Sequence, residues 1–275
     1  MTINCKGNLI DLSIPKVMGI LNTTPDSFFD GGKYKEETIL LNQVEKMLTD
    51  GATFIDIGAY SSKPGANFVS EEEELNRLLP VIELVLTKFP ETILSIDTFR
   101  SHVAEKAIEN GAAIVNDISA GMLDEKMLET VVRLQIPYIM MHMKGNPQTM
   151  QSLANYEDVI KEMMFYFSER IQKARSFGLN DIIIDPGFGF AKTLENNYEV
   201  LQKLEYFSFL ELPMLVGVSR KSMIYKLLEC TPNEALNGTT VLNVLALQKG
   251  ASILRVHDVK EAIECVKLIE MSKKR

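Results

Sequence analysis

Eight short apolar runs recur along the chain, and longer stretches of mixed polar and apolar residues separate them. Each run is almost continuously apolar, which is typical of strands buried on both faces. Strands that alternate with helices form parallel sheets, and eight such units close naturally into a (β/α)₈ TIM barrel. The pattern therefore predicts an α/β fold with one barrel domain over residues 1–275. The predicted strands are Val17–Leu21, Phe54–Ile57, Ile93–Ile96, Ala113–Val115, Tyr138–Met141, Ile182–Ile184, Met214–Val218 and Ile253–Val256.

Two of the intervening stretches have a clear helical period. The apolar residues of 71–89 fall on one face, and Ser70 with Glu73 forms a capping box at its start. A second apolar stripe covers 157–177, and Gly178 ends it. The spacing predicts helices over both stretches.

A doubly wound open sheet is the rival architecture. Its first turn would need the spacing G-x-G-x-x-G to bring a pyrophosphate onto a helix N-terminus. The turn that starts at Asn22 reads Asn-Thr-Thr-Pro-Asp-Ser-Phe and lacks that spacing. The sequence therefore favours the barrel.

Composition excludes several functional classes. The formal net charge is -8, which argues against binding to nucleic acid. The chain contains no run of about 18 apolar residues and no N-terminal secretion signal, so we expect a cytoplasmic protein without a membrane span. Three scattered cysteines support neither a disulfide framework nor a zinc site. An anionic ligand would need a local cluster of basic residues.

Polar residues follow nearly every predicted strand. The carboxyl ends of barrel strands carry the active site, so these residues are the candidates for catalysis, although some could be helix caps or contacts between strands. They are Asn22, Asp56, Asp97, Asn116, Asp117, His142, Asp185, Ser219, Arg220, Lys221, Arg255 and His257.

Asp185 and Asp97 are the strongest acidic candidates. Asp185 leaves an apolar strand directly into a glycine-rich turn, where backbone can approach a ligand. Asp97 could cap the helix that follows it, but Ser101 is the better candidate for that N-cap. Both carboxylates therefore favour a functional role.

The basic candidates come from the last two strands. Lys221 opens a predicted helix, and its side chain could join the free N–H groups of that turn in an anion site. Arg255 and His257 could add a second positive patch, while His142 could equally be a structural contact. Carboxylates and amides opposite these cations suit a small ligand with a nitrogen heterocycle and an anion.

At these residues the sequence resembles the dihydropteroate synthases, from about Lys16 to His257. The family's barrel agrees with the fold predicted above, and the resemblance also implies a homodimer. The matching segments are 18–28, 61–65, 95–98, 116–119, 141–142, 185–189, 217–222, 238–239 and 255–257, which include Asp185-Pro-Gly-Phe-Gly and Gly217-Val-Ser-Arg-Lys-Ser.

The resemblance implies a site for each substrate and for one Mg²⁺ ion. It places the pterin ring of the dihydropterin pyrophosphate against Asp97, Asn116, Asp185, Gly217 and Lys221, with Met140 and Phe190 lining the slot. It places the pyrophosphate against Asn22, Arg255 and His257, with Mg²⁺ held by Asn22 and by Asp26. It places p-aminobenzoate between Phe28, Ser62, Lys63, Pro64 and Phe190, with its carboxylate near the Ser222 N–H.

The mechanism implied by the resemblance is loss of pyrophosphate followed by capture of a pterin methylene cation by the aniline nitrogen. Residues 23–32 are then expected to form a lid that excludes water. Many family members have Arg where this chain has Lys63, so a compact ammonium replaces a planar guanidinium there. The alternatives are a corrinoid-dependent pterin methyltransferase and a non-catalytic pterin-binding protein; the turn 219–222 and the loop 22–28 favour the synthase.

Overall fold

Eight parallel strands form the central sheet of the computed structural model, which describes residues 1–23, 33–60 and 69–273. The strands are β3 Lys16–Asn22, β4 Phe54–Gly58, β5 Ile93–Asp97, β6 Ile114–Asp117, β7 Tyr138–Met141, β8 Ile182–Asp185, β9 Leu215–Val216 and β10 Ile253–Val256. Their order around the sheet is β8-β7-β6-β5-β4-β3-β10-β9. A parallel bridge between Ile184 and Met214 joins the two ends, so the sheet closes almost completely into the predicted barrel.

Helices follow the strands and cover the outside of the barrel. They are α1 Lys33–Thr49, α2 Glu71–Lys88, α3 Ser101–Glu109, α4 Met127–Leu134, α5 Val159–Ser176, α6 Leu194–Gln202, α7 Ser222–Tyr225, α8 Leu236–Gln248 and α9 Val259–Lys273, with 3₁₀ turns at Leu204–Leu210 and Pro232–Glu234. The predictions of helices α2 and α5 are confirmed. The Ser70 side chain accepts from the Glu73 N–H, but the Glu73 carboxylate accepts from Arg77 Nε at 2.7 Å, so Ser70 is an N-cap without the reciprocal half of the predicted capping box. No described helix is both long enough and apolar enough to span a bilayer.

Two predictions about helix ends are wrong. Ser101 is the first residue of α3 rather than its N-cap, and its N–H donates to the Asp124 carboxylate at 2.7 Å. Asp124 lies 23 residues further along the chain, so local sequence could not reveal it. The helix predicted after Lys221 contains only the four residues of α7.

An antiparallel hairpin precedes the barrel and was not predicted. Its strands are β1 Thr2–Cys5 and β2 Asn8–Asp11. The connecting residues Lys6 and Gly7 both have positive φ, 52° and 87°, as a two-residue hairpin turn requires. Ile3 and Cys5 pack in one cluster with inward-facing strand residues such as Ile183, so the hairpin covers the amino-terminal end of the barrel interior.

Alternate strand residues belong to different layers of the core. Ile182 and Ile184 pack with the helices, whereas Ile183 packs inside the barrel. Side chains of a strand point to opposite faces in turn, so Asp185 shares the inward face with Ile183. This parity decides which of the polar residues after each strand can meet at the carboxyl-terminal mouth.

Candidate active site

On the inward face of the strands, polar residues replace apolar ones at the carboxyl-terminal end of the barrel. Asp56, Asn116, Asp185 and Arg255 each lie two residues after an apolar residue of the interior cluster, for example Asp185 after Ile183. Asn22, Asp97 and His257 lie on the same face, at or just beyond the strand ends. The sequence therefore placed these candidates at the correct end of the barrel.

Arg255 and Asp56 form the centre of this cluster. The Arg255 guanidinium donates through Nε to Asp56 Oδ2 at 2.6 Å and through Nη2 to Asp97 Oδ2 at 2.9 Å. Asn116 Nδ2 also donates to Asp56 Oδ2, at 3.1 Å. A carboxylate only accepts hydrogen bonds, so Asn116 must turn its NH₂ group to Asp56, which leaves its carbonyl oxygen as the acceptor for a ligand. The acids and bases are thus interleaved, not placed on opposite sides as we expected.

The ionisation of these groups is shaped first by burial. Burial raises the pKa of Asp97 to about 7, although the Arg255 charge opposes the shift. Burial also raises the pKa of Asp185, against the Lys221 charge and the hydrogen bond from the Gly187 N–H. Burial works against the charge of Arg255, but Asp56 and Asp97 outweigh it and raise its pKa above the usual value.

Lys221 reaches from the start of α7 towards the turn that follows β8. Its Nζ donates to the carbonyl oxygen of Phe188 and lies 4.9 Å from the centroid of the Phe190 ring. Burial lowers the pKa of Lys221 to about 8, with the Asp185 charge acting in the opposite direction. Phe190 and Lys221, which the sequence placed in one slot, are therefore in contact.

The turn after β8 needs its glycines. Gly187 has φ of +68°, and a Cβ added there would lie 2.4 Å from the carbonyl oxygen of His142. Its N–H donates to Asp185 Oδ1 at 2.8 Å, which orients the carboxylate. A side chain at 187 would therefore push the turn away from β7 and disturb Asp185.

Two of the residues found after strands are structural. The buried His142 ring packs edge-to-face on Tyr166 and places Nδ1 3.0 Å from Lys192 Nζ. Burial lowers the pKa of His142 well below its usual value. Asp117 accepts hydrogen bonds from the Tyr138 hydroxyl and from backbone N–H groups of the following turn. Neither side chain is directed at the cluster around Arg255.

Ser219 and Arg220, which precede α7, have different partners. Ser219 accepts a hydrogen bond from the His257 N–H at 3.2 Å, and its Oγ lies 3.1 Å from His257 Nδ1, so it orients that ring. Arg220 pairs instead with Asp258, through Nε at 3.0 Å and through Nη2 at 2.5 Å. Ser222 is half-buried at the first position of α7.

Met140 does not line the slot. It packs in the core between barrel and helices, whereas Met141 packs in one small cluster with Phe190. Met141 is also the register partner of Asp185 across β7 and β8. The assignment therefore moves by one residue, because neighbours in a strand point to opposite faces.

Of the remaining sequence candidates, two are described and five are not. Asn22 is exposed at the end of β3. Gly217 is buried beside Arg255, and a Cβ added there would lie 3.7 Å from the Arg255 Cβ, an ordinary contact. Asp26, Phe28, Ser62, Lys63 and Pro64 lie outside the described residues.

Sequence reasoning assigned no role to Asp56, Ser219 or Lys192. Asp56 and Ser219 were recognised only as residues that follow strands, and the pairing of Asp56 with Arg255 spans 199 residues. Lys192 follows the matched motif by three residues and is 4% exposed. Its position so close to a glycine-rich turn is the one local signal in the sequence that could have drawn attention to Lys192.

Acids, an amide and two cations cluster at the carboxyl-terminal mouth of a (β/α)₈ barrel. This combination is typical of barrel enzymes that act on a small molecule. The model of the family described as "Pterin binding enzyme" matches residues 18–257. Dihydropteroate synthase of Escherichia coli (strain K12) is 43% identical over 272 residues, 98% of this chain and 96% of that protein. The Bacillus subtilis (strain 168) enzyme of the same name is 42% identical, over 92% of this chain and 87% of that protein.

Solved structures agree with these relatives. The Yersinia pestis dihydropteroate synthase in a sulfonamide drug complex has a TM-score of 0.92 and 41% identity, covering 99% of each chain. The Xanthomonas albilineans enzyme with 4-aminobenzoic acid has a TM-score of 0.92 and 35% identity, covering 100% of this chain and 98% of that one. The chain belongs to the pterin-binding enzyme family, among its dihydropteroate synthases.

Proposed function

We infer that the protein is a transferase of folate biosynthesis that condenses 6-hydroxymethyl-7,8-dihydropterin pyrophosphate with p-aminobenzoate to give 7,8-dihydropteroate and pyrophosphate. The observation that carries this inference is the cluster of Asp97, Asn116, Asp185, Lys221 and Arg255 at the mouth of a barrel whose relatives have this activity. In the reaction the bond between the pterin methylene carbon and the pyrophosphate oxygen breaks. The aniline nitrogen then bonds to that carbon and loses one proton.

Acids and bases of the cluster have complementary parts in this reaction. Asp97 and Asp185 accept hydrogen bonds from the pterin ring and, when ionised, stabilise the positive charge that develops on it. Arg255 and His257 stabilise the negative charge that grows on the departing pyrophosphate. Arg255 is already held by Asp56 and Asp97, so its guanidinium needs little reorganisation when the substrate binds.

The donor set at Asn22 suits Mg²⁺. An amide oxygen is a hard ligand, and Mg²⁺ commonly binds one or two protein oxygens together with water and substrate phosphate. Asn22 is exposed at the mouth, where a phosphate can reach it. Bound Mg²⁺ would neutralise charge on the leaving group.

We also propose that the protein is a cytoplasmic homodimer. Large apolar side chains of the packed pair α8 and α9 are exposed, among them Val241 at 51%, Leu268 at 71% and Met271 at 68%. Contact with a second copy would cover such residues. The three cysteines are free thiols, which is typical of a reducing compartment.

The test of the reaction is release of pyrophosphate by the purified protein with the pterin pyrophosphate and Mg²⁺, with and without p-aminobenzoate. We expect release to be coupled to dihydropteroate, detected by chromatography. Tight pterin binding without turnover under these conditions would contradict the inference and favour a binding protein or a methyltransferase.

A further inference from the structure

Lys192 is a buried lysine for which the reaction described above has no use. Nζ donates to the carbonyl oxygens of Gly187 at 3.0 Å and Phe190 at 3.1 Å, and it lies 3.0 Å from His142 Nδ1. These three acceptors match the three N–H bonds of the ammonium form and partly offset its burial. Burial nevertheless lowers the pKa of Lys192 to about 7, although the Asp185 charge opposes the shift.

Two lysines contact the turn 185–192. Lys221 binds the carbonyl oxygen of Phe188 and lies over the ring of Phe190, whereas Lys192 binds the carbonyl oxygens on either side of residue 188. Without Lys192, the Phe190 carbonyl would lose the Nζ donor, and the Gly187 carbonyl would keep only the hydrogen bond from the Phe190 N–H at 3.1 Å. Loss of a donor to a buried acceptor is unfavourable. The turn would then relax, and Phe190 would move with it.

Other contacts of the turn do not depend on Lys192 Nζ. The Gly189 N–H donates to Asn197 Oδ1 at 2.7 Å, and the Tyr156 hydroxyl donates to the Ala191 carbonyl at 2.7 Å. These bonds would keep the segment attached to the barrel. The loss of Lys192 therefore predicts a local displacement of residues 187–190, with the barrel intact.

We propose that Lys192 is a positioning residue that, supported by His142, fixes the turn 185–192 so that Phe190 and Asp185 are pre-arranged for the pterin ring. The identity of the ligand rests on the proposed function; the effect on the turn does not. The lysine acts through the backbone of the turn and does not touch the substrate.

The experiment compares variants of both partners. Lys192→Met keeps the volume of the side chain and removes the donors. His142→Leu removes the acceptor, whereas His142→Asn keeps an acceptor atom close to the position of Nδ1. The control is Lys144→Met, because Lys144 is a nearby cation that pairs with Glu162, and its Nζ lies over the Tyr156 ring but is not hydrogen-bonded to residues 185–192.

Two readouts are measured for each variant. The first readout is kinetic: KM for the dihydropterin pyrophosphate and kcat are measured separately and compared with wild type. The second is hydrogen exchange of the backbone amides of residues 187–191, followed by mass spectrometry. We expect Lys192→Met to raise that KM by about tenfold or more, with kcat within about threefold of wild type. Its exchange should be faster in the turn and unchanged in β5 and α5.

The variants of His142 give the second comparison. His142→Leu should change both readouts in the same direction as Lys192→Met, whereas His142→Asn and Lys144→Met should resemble wild type. An unchanged KM and unchanged exchange in Lys192→Met would overturn the proposal. So would a fall in kcat at constant KM with faster exchange throughout the barrel, because that pattern indicates a purely structural role.

The two proposals can fail separately. If the wild-type protein forms no dihydropteroate, the proposed function fails, and hydrogen exchange alone then decides whether Lys192 fixes the turn. If the wild-type protein is active and Lys192→Met matches it in both readouts, only the positioning role is refuted.

Discussion

Removal of the Asp56 carboxylate tests the centre of the site most directly. Asp56 is fully buried, and its Oδ2 accepts from both Arg255 and Asn116. Loss of one partner of a buried ion pair costs about 3–5 kcal/mol, because the other charge stays buried without it. Arg255 keeps its bond to Asp97 and is 20% exposed. We therefore expect Asp56→Ala to lower the free energy of unfolding by about 3 kcal/mol, the low end of that range.

Two further variants make the magnitude interpretable. Asp56→Asn keeps the shape and an acceptor oxygen, so we expect a smaller loss, of about 1–2 kcal/mol. Asp50→Ala removes a carboxylate whose partner, Lys46, is 73% exposed. A surface pair of this kind contributes about 0–1 kcal/mol, so this control should remain close to wild type.

The assay is urea unfolding followed by far-UV circular dichroism, since the chain has no tryptophan. Product formation by the folded variants is measured in parallel, and Asp56→Ala should lose activity because Arg255 is no longer fixed. The reasoning would be refuted if Asp56→Ala unfolded within about 0.5 kcal/mol of wild type, the range of a surface substitution.

Three other predictions concern the mouth of the barrel. Asp97→Asn and Lys221→Ala should each abolish dihydropteroate formation with unchanged circular dichroism; wild-type rates in both would disprove the site. As pH rises, Asp97 gains its negative charge through a pKa of about 7 and Lys221 loses its positive charge through a pKa of about 8. The pH profile of kcat/KM should therefore rise through the first value and fall through the second, and a flat profile across both would contradict these roles. Removal of Mg²⁺ with EDTA should stop pyrophosphate release, and Asn22→Ala should raise the Mg²⁺ concentration needed for half-maximal rate; an unchanged requirement in Asn22→Ala would argue against that ligand.

Local sequence was sufficient to predict the barrel, because a strand that is buried on both faces consists almost entirely of apolar residues. All eight predicted runs overlap a strand of the sheet, and the N-cap at Ser70 marks the true start of α2. The hairpin at residues 2–11 was missed because only Ile3 and Cys5 of β1, with no residue of β2, are buried, too few for a recognisable pattern.

Sequence alone also determined that chemistry would concentrate after the strands, since parallel strands bring all their carboxyl ends to one mouth. Only the tertiary structure decided how those residues pair. Met141 packs with Phe190 in place of the predicted Met140, because neighbouring residues of a strand point to opposite faces. The hydrogen bond between Arg255 and Asp56 joins the last strand of the barrel to its second. Lys192 acquired its role from three acceptors that the fold gathers around it. Such contacts depend on register and closure, which are properties of the assembled sheet and leave no mark in any short segment of the chain.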